Sequence, residues 1–269
     1  MTQQADWIPG SADLGKPSTA RMYDYVLGGG HNLAADRALV DKMLAVQPDM
    51  RRMAIMNRAF LRRVVLFLVE AGIRQFLDLG SGIPTVGNVH EIAQRADPSC
   101  RVVYVDNESV AVAHSELILE GNDRAVMLQA DITEPDIVLR APQTRRMLDF
   151  AEPVGLLAIT IGHHVGPERN PVGVFARYRE AVASGSYLAI THSTTDLDTD
   201  RTRAMRELAQ RTQVNVFPRT RAEIMALFGD FILVEPGLVT TSQWRPDHPD
   251  DVATDPTTDG FYAGVARKL

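Results

Sequence analysis

From Gln75 onward the chain alternates short apolar runs with longer amphipathic ones, and that alternation leaves few folds open. The apolar runs "QFLDLG", "RVVYVD", "AVMLQAD", "GLLAITIG" and "SYLAITH" have strand length. Between them lie "VGNVHEIAQRAD", "SVAVAHSELILEG", a short piece near "PDIVLRAP", and "VGVFARYREAVASG", which read as helices. Strands that are apolar throughout need cover on both faces. The pattern therefore predicts an α/β fold with a mostly parallel sheet between helical layers and right-handed crossovers. After "SYLAITH" the rhythm changes to two helices, "TRAMRELAQRTQ" and "TRAEIMALFGDF". Two strands, "ILVEPGLVTTSQW" and "GFYAGVARKL", follow around a solvated Asp/Pro loop and are expected to close the sheet edge as an antiparallel pair.

Ahead of the sheet, residues 1–18 are rich in Gly, Pro, Ser and Asp, a composition expected to stay mobile unless tied down. A triple glycine, Gly28–Gly30, separates two helix-like pieces. Asn32 or Asp36 is positioned to cap the second piece, and Pro48 to end it. From Arg51 to Glu70, Met53, Met56, Phe60, Val64, Phe67 and Leu68 recur at helical spacing, and Gly72 is a natural stop. The whole chain reads as a single domain. Residues 1–72 would form an N-terminal lid and helices, 73–195 the βα core, and 196–269 the closing helices and edge strands.

Charge and composition narrow the partners. A net charge of −6 without a long basic run argues against a nucleic-acid partner. The lone Cys100 excludes an internal disulfide and reads as a small buried apolar residue. The start lacks the apolar core of a secretory signal, and no window reaches the ~20 apolar residues of a membrane span. The expected location is the cytoplasm, with no membrane association.

In an open sheet of this kind, ligands bind at the carboxyl ends of the strands, so those ends carry the candidate residues. The first gives Asp78, Gly80, Ser81 and Gly82; the glycines allow close backbone approach, and Asp78 can accept from a cationic amine or orient the loop. The second gives Asp106 and Asn107, with Asp106 set to accept from ribose hydroxyls. The third gives Asp131 and Ile132, suited to an adenine amine and ring. Carboxylates at three successive strand ends need donors, and an adenosine cofactor provides them. A nicotinamide dinucleotide is the first rival, but its loop wants a glycine where Thr85 stands, and Asp78 suits a cation better than a pyrophosphate. The charge logic favours S-adenosyl-L-methionine.

The segments "DLGSG", "VDNE" and "QADI" resemble motifs of class I S-adenosylmethionine-dependent methyltransferases. The longer strings "ARMYDYVLGGGHNLAADR", "NRAFLRRVV", "GIRQFLDLGSGIPT", "NVHEIAQ", "RVVYVDN" and "PGLVTTSQWRP" resemble one bacterial branch, the S-adenosyl methyltransferase family, from Thr19 nearly to the end. The resemblance implies a Rossmann-like, seven-stranded sheet with its last strand antiparallel. It also implies that Gly80, Ser81 and Gly82 line the methionine portion, Asp106 and Asn107 the ribose, and Asp131 and Ile132 the adenine. Pro84 departs from the general pattern at its usual third glycine.

Two further groups extend the candidate site. Tyr23, Gly28, Gly29, Gly30, His31 and Asn32 would fold over the cofactor as a lid, with packing alone as the alternative. Arg58 would reach the methionine carboxylate or remain a solvated helix arginine. At the fourth strand end, Gly162, His163 and His164 stand at the rim, and His192 ends the fifth strand. One of His163 and His164 is expected to face the acceptor as a general base, with His163 preferred; a purely structural histidine is the alternative. Trp244 would line an acceptor site or pack the sheet edge. Neither the histidine spacing nor the cysteine count supports a metal, and none is expected. The expected activity is methyl transfer to a small-molecule acceptor. The alternatives are a non-catalytic S-adenosylmethionine-binding module and an NAD(P)-dependent oxidoreductase.

Overall fold

The computed structural model describes residues 15–83 and 87–269. Most of the Gly/Pro-rich start, together with Pro84 and Thr85, therefore lies outside the described residues. Five strands run parallel: β1 (Gln75–Leu79), β2 (Arg101–Asp106), β3 (Ala125–Gln129), β4 (Gly155–Ile159) and β5 (Tyr187–Ser193). At one edge β8 (Phe261–Arg267) is antiparallel to β5, and β6 (Ile232–Leu233) and β7 (Val239–Thr240) both pair with β8. The order is β3-β2-β1-β4-β5-β8-β6, with β7 also on β8.

The sheet thus has eight strands where the resemblance implies seven. The run "ILVEPGLVTTSQW" is interrupted at Glu235–Gly237, around a cis peptide before Pro236. Two dipeptide strands stand where one was expected. A proline has no N–H for a ladder, so the pairing with β8 resumes only beyond the turn.

Burial on both faces follows from the parallel core: all five residues of β1 and of β4 are buried. One face packs Leu77, Leu79, Leu156 and Phe175 into a single cluster; the other packs Phe76, Phe60, Leu68 and Leu157 into a second. Trp244 belongs to the second cluster, edge-on to Phe60 at 5.3 Å, so it packs the sheet as its alternative reading held. Cys100 is free and buried.

The helices before the sheet are α1 (Thr19–Val26), α2 (Ala34–Val46) and α3 (Met50–Glu70). The crossover helices are α4 (Val89–Ala96), α5 (Ser109–Ile118), the pair α6 (Pro135–Arg140) and α7 (Pro142–Met147), and α8 (Pro171–Ala181). Two more, α9 (Asp200–Gln210) and α10 (Arg221–Phe228), follow β5. Helices α1, α2 and α3 meet α9 in a third, separate apolar cluster that includes Met22, Val40, Met43 and Ala209. That cluster caps the carboxyl rim of β4 and β5. Among the described residues no helix is long and apolar enough to cross a membrane.

The cap is anchored by polar groups. Arg21 is buried and pairs with Asp36 at 2.8 Å and with Glu108 at 2.8 Å, tying α1 to α2 and to the start of α5. Asp36 also accepts from the Leu33 backbone N–H at 2.7 Å, so it satisfies the first turn of α2, whereas Asn32 lies outside that helix.

Candidate active site

The turn after β1 is built by close backbone approach. A side chain at Gly80 would place its Cβ 2.2 Å from Ile161, and Gly80 also has φ +69. Only glycine fits there. The Gly80 and Ser81 N–H groups donate to the Val105 carbonyl at 2.8 and 3.0 Å, which sets this turn against the end of β2. Asp106 then locks it: its carboxylate accepts from Gly82 N–H at 2.8 Å and from Glu108 N–H at 2.9 Å.

One cavity opens over this turn. Its floor is Asp78, Gly80, Ser81 and Gly82, with Asp106 and Asn107 on one side and Thr160, His163 and His164 on the other. Tyr23 and Arg58 form its roof, together with Asn57, and Phe261 closes one end. Of the residues expected to bind a cofactor, these strand-end and roof groups converge. Gly29, Asn32, Asp131, Ile132 and Gly162 do not line this cavity.

Each of those five has a visible task elsewhere. The Ile132 side chain packs into the core, and its carbonyl accepts from Tyr178 at 2.9 Å. Asp131, half-buried, accepts from Thr133 N–H at 2.8 Å. Gly162 offers its carbonyl to Arg219 at 3.0 Å. The triple glycine wraps the buried Asp24: a Cβ at Gly29 would sit 2.0 Å from Asp24 Oδ1. Asn32 donates to Asp24 Oδ2 at 2.9 Å and to the Gly29 carbonyl at 2.8 Å. Gly28–Gly30 and His31 line an adjoining cavity of about 580 Å³, which meets the first at Arg58.

The electrostatics favour a donor-rich, cationic guest. Burial pushes the Asp78 carboxyl up to about 7, with the Arg58 charge working against that rise and Asp106 adding to it. Burial also raises Asp106, opposed by its backbone N–H bonds. The Ser81 hydroxyl oxygen is buried without a hydrogen-bond partner, and it lines the same cavity. Two buried carboxyls with an orphaned hydroxyl form a half-satisfied network that a ligand's ammonium and hydroxyl groups would complete.

The two adjacent histidines are held oppositely. His163 Nδ1 accepts from Ser193 N–H at 3.2 Å, so the neutral ring carries its proton on Nε2. Burial, aided by His164, His192 and Arg219, drives its pKa well down. His164 Nδ1 lies 2.9 Å from the Asn215 carbonyl, which only accepts, so Nδ1 carries the proton and Nε2 presents a lone pair. Burial lowers the His164 pKa and keeps the ring neutral, although the Asn215 bond opposes this. The two rings therefore differ in what they can offer: His163 can donate from Nε2, whereas His164 can accept there. His192 is fully buried, its Nε2 accepting from Arg219 at 2.7 Å, and burial lowers its pKa to about 4. It holds the strand ends rather than reaching a ligand.

Sequence reading missed Asn57, Thr160, Thr191 and Phe261. Thr160 has φ +55, a left-handed conformation rare for a β-branched residue, at the end of β4. Its N–H donates to Thr191 Oγ1 at 2.9 Å, and Thr191 donates to Asn57 Oδ1 at 2.8 Å. Asn57 Nδ2 donates to the Tyr23 hydroxyl at 2.9 Å, which in turn reaches the Ala54 carbonyl at 3.2 Å. A buried polar chain thus links the strand ends to α1. One signal was available: an asparagine inside an otherwise apolar helix face in "MNRAFL".

The sequence matches the family described as S-adenosyl methyltransferase over residues 5–269. Among solved structures, a Thermobifida fusca YX protein assigned as a methyltransferase is 40% identical, with TM-score 0.91, covering 98% of this chain and 99% of its own. A DUF574 family protein from Streptomyces avermitilis MA-4680 is 37% identical, with TM-score 0.92 and coverage of 96% and 99%. Mitomycin 7-O-methyltransferase MmcR, 17% identical with TM-score 0.52, covers 81% of this chain and 56% of its own, and shares the fold. No curated protein matches.

Proposed function

This chain belongs to the S-adenosyl methyltransferase family, and we propose that it transfers a methyl group to a small-molecule acceptor at the rim of β4. It is an enzyme of the class I methyltransferase fold, and S-adenosyl-L-methionine is its cofactor. The observation that supports the site is the half-satisfied set of Asp78, Ser81 and Asp106 over the β1 turn. In this reading Asp78 receives the cofactor's ammonium, Arg58 its carboxylate, and Asp106 with Asn107 its ribose. The adenine then has to extend beyond the cavity's own lining to reach Asp131, two residues past β3, whose carboxylate takes its amine, while Ile132 stays packed in the core. The bound cofactor supplies a methyl carbon already activated by a positive sulfur, so the protein's main task is alignment.

The remaining work falls to the chain's own side chains. His164 Nε2 accepts the proton that an acceptor hydroxyl must lose, and His163 Nε2–H donates to a ligand oxygen or orients it. Tyr23 and the roof exclude water from the reacting groups.

Calorimetric titration with S-adenosylhomocysteine and, separately, NAD⁺ tests the cofactor assignment; tighter binding of NAD⁺ would overturn it. With labelled cofactor and a panel of hydroxylated acceptors, His164→Gln is expected to lose about a hundredfold or more in turnover at unchanged S-adenosylhomocysteine affinity. Because burial keeps His164 below the ordinary 6.5, the rate should stay flat through neutral pH and fall only on the acid side of that value. No turnover on any acceptor, with tight cofactor binding, would favour a binding module instead.

A further inference from the structure

The third apolar cluster contains a cavity of about 150 Å³ that nothing in the fold requires, and it opens beside the cofactor cavity. Five of the chain's ten methionines line it: Met22, Met43, Met50, Met53 and Met205, drawn from α1, α2, α3 and α9. An adjoining cavity of about 110 Å³ shares Met43, Met53 and Met205 with it. Tyr23, His163, His164 and Phe261 line both this cavity and the cofactor cavity, so the two meet at the histidines.

We infer that the methionine-lined cavity is the acceptor site, and that the acceptor is a neutral aromatic alcohol of one or two rings whose hydroxyl meets His164. This inference rests on the methyl-transfer reading for its purpose, though not for its test.

Three observations carry it. The lining offers no net charge: its titratable members are His163, His164 and Tyr23, and burial keeps both histidines neutral. An anion or an ammonium would lose its hydration there without a counter-charge, a heavy cost. In the adjoining cavity the one cation–anion pair, Arg206 and Asp198, is already matched at 2.6 Å. An apolar cavity of about 150 Å³ is of the scale that takes up a single aromatic ring, and the adjoining space extends it toward a second. Thioether side chains are flexible and polarizable and contact aromatic rings favourably, so this lining admits flat molecules of varied outline. The polar end is defined as well. His164 Nε2 presents a lone pair at the shared mouth, matched to a hydroxyl donor, while His163 Nε2–H can donate to the same oxygen.

The test is binding, measured by calorimetry on the full chain without any S-adenosyl ligand. The probes are 2-naphthol, naphthalene, 2-naphthoate and 1-(aminomethyl)naphthalene. 2-Naphthol is expected to bind at least about tenfold more tightly than the carboxylate or the ammonium. His164→Ala is expected to weaken 2-naphthol severalfold and leave naphthalene unchanged. Met205→Glu, which touches only the methionine-lined cavities, is expected to abolish 2-naphthol binding while S-adenosylhomocysteine affinity is retained, which certifies the fold. Equal binding of the charged probes, or 2-naphthol binding indifferent to Met205→Glu, would overturn the inference. If S-adenosylhomocysteine fails to bind the native chain, the cofactor assignment falls, and the 2-naphthol series still decides what this cavity holds.

Discussion

The two cavities that meet at His163 and His164 are built on different principles. The cofactor side is polar and made from backbone: turns at strand ends, N–H groups on Asp106, and carboxyls held away from water. The cap side is apolar and made mainly from side chains of the helices ahead of β1 and of α9, between β5 and β6. Backbone geometry fixes the first closely and leaves it little room to vary. The second is shaped by flexible methionines and can change its fit without disturbing the sheet. Under the proposed function, one protein would thus hold its reagent rigidly and its acceptor loosely.

The sharpest way to break this contrast is to release the cap. Asp36→Ala leaves the buried Arg21 with Glu108 as its one remaining carboxylate partner and removes the acceptor of the Ser18 and Leu33 N–H groups, and we expect a loss of about 2–4 kcal/mol in global stability by denaturant titration. If the cap is only an appendage, the sheet's unfolding transition will not move. Next in size, Asp106→Ala should weaken S-adenosylhomocysteine by about 3 kcal/mol, roughly a hundredfold in Kd, while leaving 2-naphthol binding unchanged. Equal losses for both ligands would show that the two cavities are one.

A subtler effect follows from Asp78. Its folded pKa lies near 7 against an ordinary 3.8, so between those values the native protein holds a proton that the unfolded chain has released. Its stabilising contribution is therefore full below pH 3.8 and lost as pH rises through about 7. The melting temperature of the ligand-free protein should fall across that window by more than that of Asp78→Asn. At pH 6, binding an ammonium-bearing ligand should expel up to one proton, read from calorimetry in two buffers of different ionisation enthalpy; 2-naphthol should expel none. Smallest of all, Tyr23→Phe removes one hydroxyl from the buried polar chain and should cost about 1–2 kcal/mol in stability.

The same contrast explains what could be read in advance. Strands announce themselves by composition, so β1 to β5 and their terminal acids stood out in "QFLDLG", "RVVYVD" and "AVMLQAD". The helical pair α6 and α7 was read as one short piece, because Pro142 restarts a helix within a few residues of the first. Gly29 and Asn32 stand out in sequence as ligand contacts, while their packing around Asp24 is a partnership that only the folded turn reveals. The roles of His163 and His164 depend on Ser193 and Asn215, 30 and 51 residues away, and no local pattern encodes such a bond. The methionine cavity left no trace for the same reason: its five methionines come from four helices, with no period that links Met22 to Met205.

The bonds that tie α1 to the body carry one more implication. Swinging that helix outward would sever Asn57 from Tyr23, Tyr23 from Ala54 and Arg21 from Glu108. At roughly 1 kcal/mol for each neutral bond and about 2 for the charged one, these three alone hold the open form to about one molecule in a thousand, and the Arg21–Asp36 pair and the burial of Met22 and Val26 lower it further. Under the proposed function, a ligand that enters by displacing this helix does so through that minor population, and the bonds at Tyr23, Asn57 and Arg21 then set the pace of exchange.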